Sequence, residues 1–120
     1  MTNNQYQLKA HSFADYTLPY VHNEDEENEV RVDYVYPVLG LAEEAGEVAG
    51  KFAKAIRDNN GVIDSERREA IIKELGDVSW MLAEVCTLLN VPLEEVMEKN
   101  IAKLESRRER NVIHGSGDNR

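Results

Sequence analysis

The chain is short of cysteine, proline and basic charge, and each shortage narrows what it can be. Cys86 is its single cysteine, so no intramolecular disulfide can form. Its place in an apolar helical stretch, without an obvious neighbouring base, reads as packing rather than as a nucleophile. Three prolines and few glycine-rich turns, set among long 3.6-residue periodicities, read as all-α. No apolar run approaches the roughly 18 residues a membrane-spanning helix needs, and the polar N-terminus is not a signal peptide. A cytoplasmic protein with no membrane partner is expected. Fourteen Lys and Arg stand against 23 Asp and Glu, a net charge of −9 that disfavours duplex nucleic acid as a partner. A local basic patch can still hold a small anion. What is present, 42% hydrophobic and 31% charged residues over 120 positions, suits one globular domain with one core spanning residues 1–120.

Four main helices are expected. The first covers about Tyr6 to Thr17, carries Tyr6, Phe13 and Tyr16, and stops near Pro19. Asn23 to Asp33, rich in Glu24, Asp25, Glu26, Glu27 and Glu29, reads as a solvated loop or a frayed helix start, so residues 1–33 form an N-terminal helix and acidic loop. The second helix runs from about Tyr36 to Arg57, with Pro37 tolerated in its first turn, and ends at Asp58-Asn59-Asn60-Gly61. The third begins after Asp64 or Ser65, both good N-caps, and continues to about Asn90. Val91-Pro92 separates it from a fourth helix over about Leu93 to Arg110. Residues 111–120 form a polar tail.

Acidic residues on helices two and three are misplaced for a simple amphipathic design. At about 100° per residue, Leu41, Ala45, Val48, Phe52 and Ile56 share one face of helix two, with Glu44 on its border, Glu47 farther out and Glu43 on the opposite flank. On helix three the main apolar stripe is Ile71, Leu75, Val78, Leu82, Val85 and Leu89. Glu74 falls in a second apolar sector with Met81, Val85 and Leu88, and Asp77 lies next to Leu88. Glu44 and Glu47, like Glu74 and Asp77, are three apart, so each pair projects from one face. Gly46 and Gly76 inside these motifs cost helix stability and read as points of close helix approach. Four converging carboxylates repel one another, and a cation relieves both the repulsion and the desolvation cost. Oxygen donors without histidine or thiolate favour Mg²⁺, with Mn²⁺ as a substitute, and Mg²⁺ shares its shell with substrate phosphates. The alternative is ordinary: Glu47 pairs with Lys51 at i,i+4 and the acids are surface charge, while Lys51 and Lys54 near the acids are weaker candidates for gripping a phosphate chain and read as solvated. Spacing alone leaves both open.

Helix four packs with Leu93, Val96, Met97, Ile101 and Leu104. Asn100, Lys103 and Arg107 form a line along the border of that face. They suit the grip of a phosphate chain, and equally suit a helix C-terminus matched to its dipole. Trp80 lies off the main stripe near the acids, placed either to stack on a nucleobase or to be buried at a helix or subunit interface, which aromatics favour. His11, His22 and His114 show no metal-ligand spacing. Gly115-Ser116-Gly117 is a weak phosphate-loop signal in a tail that reads as flexible.

At these residues the chain resembles the MazG-like nucleoside triphosphate pyrophosphohydrolases, of the small, single-domain, phage-associated kind. The resemblance rests on Glu-Glu-x-x-Glu at Glu43, Glu44 and Glu47, on Glu-x-x-Asp at Glu74 and Asp77, and on Leu39-Gly40-Leu41-Ala42 and Val78-Ser79-Trp80 around them. Asn100-Ile101-Ala102-Lys103-Leu104 followed by Arg107 and the Gly-Ser-Gly-Asp ending fit as well. It implies an all-α bundle completed as a homodimer or homotetramer. The implied reaction hydrolyses a nucleoside triphosphate between the α and β phosphates, giving the monophosphate and pyrophosphate. Glu44, Glu47, Glu74 and Asp77 are implied as Mg²⁺ ligands, and Glu43 or Glu47 as the group that helps deprotonate the attacking water. Lys103, Arg107 and Asn100 are implied contacts to the phosphates or sugar. A relative restricted to dCTP, dUTP or phosphoribosyl-ATP, and a non-enzymatic acidic helical module, are the competing readings. A di-iron carboxylate bundle would need Glu-x-x-His, which is absent.

Overall fold

A computed structural model of the chain describes residues 1–15 and 36–119. They form α1 (Asn3–His11), α2 (Tyr36–Asn59), α3 (Ser65–Leu88) and α4 (Leu93–Glu109), with no strand among the described residues. The fold is all-α, as the periodicity indicates. Tyr16, Thr17, Pro19, His22, the acidic segment Asn23 to Asp33 and Arg120 lie outside the described residues.

Local chemistry sets the helix ends. α1 starts earlier than the apolar pattern suggests because Thr2 and Gln5 form a capping box: Thr2 Oγ1 accepts from the Gln5 amide at 3.1 Å and Gln5 Oε1 accepts from the Thr2 amide at 2.8 Å. It ends at His11, leaving Phe13 in the exposed turn beyond. Asp64, not Ser65, caps α3, accepting from the Arg67 amide at 2.9 Å. Asn60, Asn90 and Asn111 each follow a helix with φ of 53° to 58°, the left-handed position that asparagine tolerates. α4 follows Pro92 and has no cap of its own. Side chains of α1 supply one: Gln7 Oε1 accepts from the Leu93 amide at 2.7 Å and Asn4 Oδ1 from the Glu94 amide at 3.2 Å.

α2 and α3 form an antiparallel hairpin, the main helix pair of the fold, with Gly40 meeting Met81 at one end and Lys51 meeting Glu74 farther along. α1 lies on α3, and α4 touches α1 and α3. Between α1, α3 and the start of α4 sits the small dry core of Ala10, Ala83, Cys86 and Leu93, with Tyr6, Trp80, Leu82, Val91 and Val96 packed on it. Burial there pushes the Cys86 thiol above its ordinary pKa.

The predicted stripes are only partly covered. On α3 Ile71 is buried while Leu75 is 47% exposed; on α2 Phe52 is half exposed and Ile56 is 71% exposed; on α4 Met97, Ile101 and Leu104 are exposed. Periodicity identifies which residues share a face, but two 24-residue helices have more apolar surface than the other described residues cover. The close-approach reading of Gly46 and Gly76 is also corrected. A Cβ at either would meet nothing within 4 Å, whereas one at Gly40 would lie 2.5 Å from Met81 Sδ. The tight crossing is at Gly40.

Candidate metal centre

α2 delivers Glu44, and α3 delivers Glu74 and Asp77, to one point. Each offers a carboxylate oxygen, and the three oxygens lie within 4.8 Å of one another. An octahedral Mg²⁺ with ligands at about 2.1 Å holds adjacent oxygens about 3 Å apart and opposite ones about 4 Å apart. The donor set therefore fits one hard divalent cation with little side-chain adjustment. The electrostatics fit too. Desolvation raises the Glu44 carboxyl above its ordinary pKa, and the charges of Asp77, Glu43, Glu74 and Glu47 raise it further. Glu44 makes no ion pair among the described residues, so nothing among them relieves its repulsion.

Glu47, expected beside Glu44, is outside the group of three and exposed, as is Glu43; both act on Glu44 through charge. Lys51 does not turn to Glu47 as the helical spacing suggests. Its ammonium lies 3.0 Å from Glu74 Oε1 across the hairpin. That bond first, and then the charges of Glu74 and Glu47, hold the Lys51 pKa above its ordinary value.

On the α1 side the cluster meets aromatics. The Tyr6 phenol is pushed up by burial and by the charge of Asp77. Trp80, one turn after Asp77, packs against the core with its indole Nε1 lacking a hydrogen-bond partner among the described residues. Tyr6, Trp80, Met1, Lys9, Ala10 and Phe13 line a largely apolar cavity of about 490 Å³.

The residues singled out on α4 are placed differently. Asn100 is exposed. Arg107 is 5% exposed, and its Nη2 donates to Asp118 O at 2.9 Å, Asp118 Oδ1 at 3.2 Å and Gly117 O at 3.3 Å. Lys103 Nζ is 3.5 Å from the same Asp118 carboxylate. That carboxyl is held below its ordinary range by the Arg107 hydrogen bond and the Lys103 charge. The Gly-Ser-Gly tail thus wraps an arginine. No ion pair or hydrogen bond among the described residues joins these cations to the acid cluster.

Two features escaped the reading of the sequence. Helical spacing ranks Lys51 as a weaker, solvated candidate because its cross-hairpin partner Glu74 is 23 residues away. Glu84, 2% exposed on α3, lies 3.0 Å from His11 Nδ1. Its signal was present: an acid three residues after Met81, on the same face, has no place in water.

An all-α fold carrying a three-carboxylate centre beside an apolar cavity defines a candidate metal-dependent enzyme of small anionic substrates. Residues 37–112 match the family model of the MazG nucleotide pyrophosphohydrolase domain, a span that contains all the candidate acids, Trp80, Asn100, Lys103 and Arg107. A protein of Mycobacterium phage L5 described as Gene 37 protein is 49% identical over 85 residues, which is 71% of this chain and 75% of that protein. No solved structure matches the chain. The chain belongs to the MazG nucleotide pyrophosphohydrolase family, and this membership supports a nucleotide pyrophosphohydrolase activity in general.

Proposed function

We propose that the protein hydrolyses nucleoside triphosphates between the α and β phosphates in a Mg²⁺-dependent reaction, with residues 1–120 acting as one MazG-like domain. The observation that carries this reading is the convergence of Glu44, Glu74 and Asp77, with a raised Glu44 carboxyl that no side-chain cation among the described residues pairs with. These three residues hold the ion, and Glu47 is the fourth candidate ligand, one turn along α2. When bound, Mg²⁺ or Mn²⁺ supplies positive charge to the phosphate oxygens and lowers the pKa of water.

The chain's own groups do the rest. Glu47, or Glu43, accepts the proton of the attacking water from the exposed side of the cluster. The water oxygen bonds to the α-phosphorus as the α–β bridging P–O bond breaks, and its electron pair leaves on pyrophosphate. Trp80 and Tyr6 wall the cavity in which the base stacks, next to Asp77. Asn100, Lys103 and Arg107 are the candidate contacts to phosphate and sugar, and the Asp118 carboxylate between Lys103 and Arg107 marks a place that suits an anionic oxygen. A homodimer or homotetramer covers Ile56, Leu75, Ile101 and Leu104, which the single chain leaves exposed.

The test is a panel of nucleoside and deoxynucleoside triphosphates and phosphoribosyl-ATP with Mg²⁺, scored for pyrophosphate release. Glu44→Gln and Asp77→Asn should each lower turnover by about 10³-fold, the loss expected when charge stabilisation in a phosphoryl transfer is removed. Preference within the panel separates a broad enzyme from a dCTP-, dUTP- or phosphoribosyl-ATP-restricted one. Absence of release from every member, with no Mg²⁺ or Mn²⁺ uptake, leaves the acidic helical interaction module as the reading.

A further inference from the structure

The acid cluster has a different neighbour at each end of α3. Toward the C-terminal end, one turn past Asp77, is the apolar cavity of Trp80 and Tyr6. In the other direction, one turn before Glu74, Ala70 opens a second cavity of about 280 Å³, lined also by Glu66 and Arg67 of α3 and by Lys51, Lys54 and Asp58 of α2 or its end. Along one helix the order is therefore apolar cavity, carboxylate cluster, and a cavity where three cations (Lys51, Lys54, Arg67) outnumber two carboxylates (Asp58, Glu66). A nucleoside triphosphate has the same order: base, scissile α-phosphate, pyrophosphoryl group.

The charges of the second cavity are not equally available. Arg67 is bonded to Asp64, and Asp58 is held by Arg57 at 2.7 Å. Among the described residues Lys54 has no ion pair, and the one ion pair of Lys51 is with Glu74. Lys51 lies seven residues after Glu44, about 10 Å along α2, where the cluster ends and the cavity begins. Its ammonium now answers a carboxylate that a divalent cation would claim. A cation on Glu74 repels the ammonium, and the four-carbon stem lets it swing into the cavity.

We propose that Lys51, seconded by Lys54, is the binding residue for the β,γ-pyrophosphoryl end of the substrate, releasing Glu74 to the metal and donating from Nζ to a phosphate oxygen. This rests on the pyrophosphohydrolase reading above. It needs no rearrangement of the tail, in contrast to Lys103 and Arg107, which must first release Asp118.

The experiment compares wild type, Lys51→Met, Lys51→Arg and Lys54→Met. The readouts are KM and kcat for the preferred triphosphate, product inhibition by pyrophosphate and by the monophosphate, and calorimetric titration with Mn²⁺ alone. Loss of one charge-assisted hydrogen bond corresponds to about tenfold. Lys51→Met should therefore raise both KM and the pyrophosphate inhibition constant about tenfold, leave monophosphate inhibition unchanged, and bind Mn²⁺ alone at least as tightly as wild type. Lys51→Arg should recover most of the loss, and Lys54→Met should show a smaller shift of the same pattern. An active wild type with an unaltered pyrophosphate constant in Lys51→Met overturns this proposal and leaves the enzyme reading standing. So does equal weakening by pyrophosphate and monophosphate, or weakened Mn²⁺ binding, which would make Lys51 a mere support for the cluster. A wild type that hydrolyses no triphosphate overturns both.

Discussion

The α2–α3 hairpin and the end of α4 treat charge in opposite ways. The hairpin gathers Glu44, Glu74 and Asp77 and answers them with one lysine, so that Glu44 keeps a raised carboxyl. The end of α4 gathers Lys103 and Arg107 and sets the chain's own Asp118 between them, whose carboxyl is correspondingly lowered, while the buried Arg107 Nε finds no hydrogen-bond partner among the described residues. One region holds three acids against one lysine, and the other holds two cations against one carboxylate of its own tail. Like charges held together at a cost mark where a ligand is expected, whereas cations bonded to the chain's own carboxylate also tie the tail and must exchange that carboxylate before they meet a ligand. The comparison also separates two residues the sequence placed in one row, because Lys103 is half exposed and Arg107 is buried.

A large stability effect follows from that difference. Arg107→Ala removes a buried guanidinium that ties the tail at three oxygens and should cost about 2 kcal/mol, the range for charge-assisted hydrogen bonds in a dry setting. Lys103→Ala removes a longer, more exposed pair and should cost under about 0.5 kcal/mol. Urea denaturation of the full chain measures both. Equal, small losses would mean the tail does not anchor on Arg107, and the contrast between the regions would fail.

Glycines sharpen it next. Gly40→Ala drives a methyl against Met81, which is 4% exposed and cannot easily turn away, so a loss of about 1–3 kcal/mol is expected. Gly46→Ala and Gly76→Ala meet open space and should gain up to about 1 kcal/mol each from helix propensity. Thermal melts at several protein concentrations check this. A concentration-dependent loss at Gly46 or Gly76 would show that a second copy reaches those positions.

The helices were legible because their signals are local. Asn60 and Gly61 ended α2, Asp64 opened α3, and Pro92 preceded α4, each within a turn of its effect. The start of α1 was missed although Thr2-Asn3-Asn4-Gln5 is itself a capping-box pattern, since the apolar residues gave a stronger and later signal. In the acid cluster, residue type and i,i+3 spacing were legible, and Glu44, Glu74 and Asp77 do converge. The exposed position of Glu47 was not, because the crossing of two helices decides which turn faces the partner. Lys51 with Glu74, Arg107 with Asp118 and His11 with Glu84 are all set by tertiary packing. A helical wheel ranks neighbours on one helix and is silent about these.

The smallest effect is also the most direct probe of the strained region. The folded Glu44 carboxyl titrates above its ordinary value, through desolvation first and then the charges of Asp77, Glu43, Glu74 and Glu47. A raised acid binds its proton more tightly folded than unfolded, so its penalty is absent below the unfolded pKa and is fully present once pH exceeds the folded one. Metal-free Glu44→Gln should then melt a few degrees above wild type near pH 8 and match it near pH 4. Metal-free Glu74→Ala should gain less, because it also strips Lys51 of its partner. Added Mg²⁺ or Mn²⁺ should raise the wild-type melting temperature more at pH 8 than at pH 5, since protons and metal compete for the same oxygens, and should leave Glu44→Gln nearly unmoved. A metal-free Glu44→Gln protein no more stable than wild type near pH 8 would show that these carboxylates are solvated, and that the two regions differ in sign of charge but not in strain.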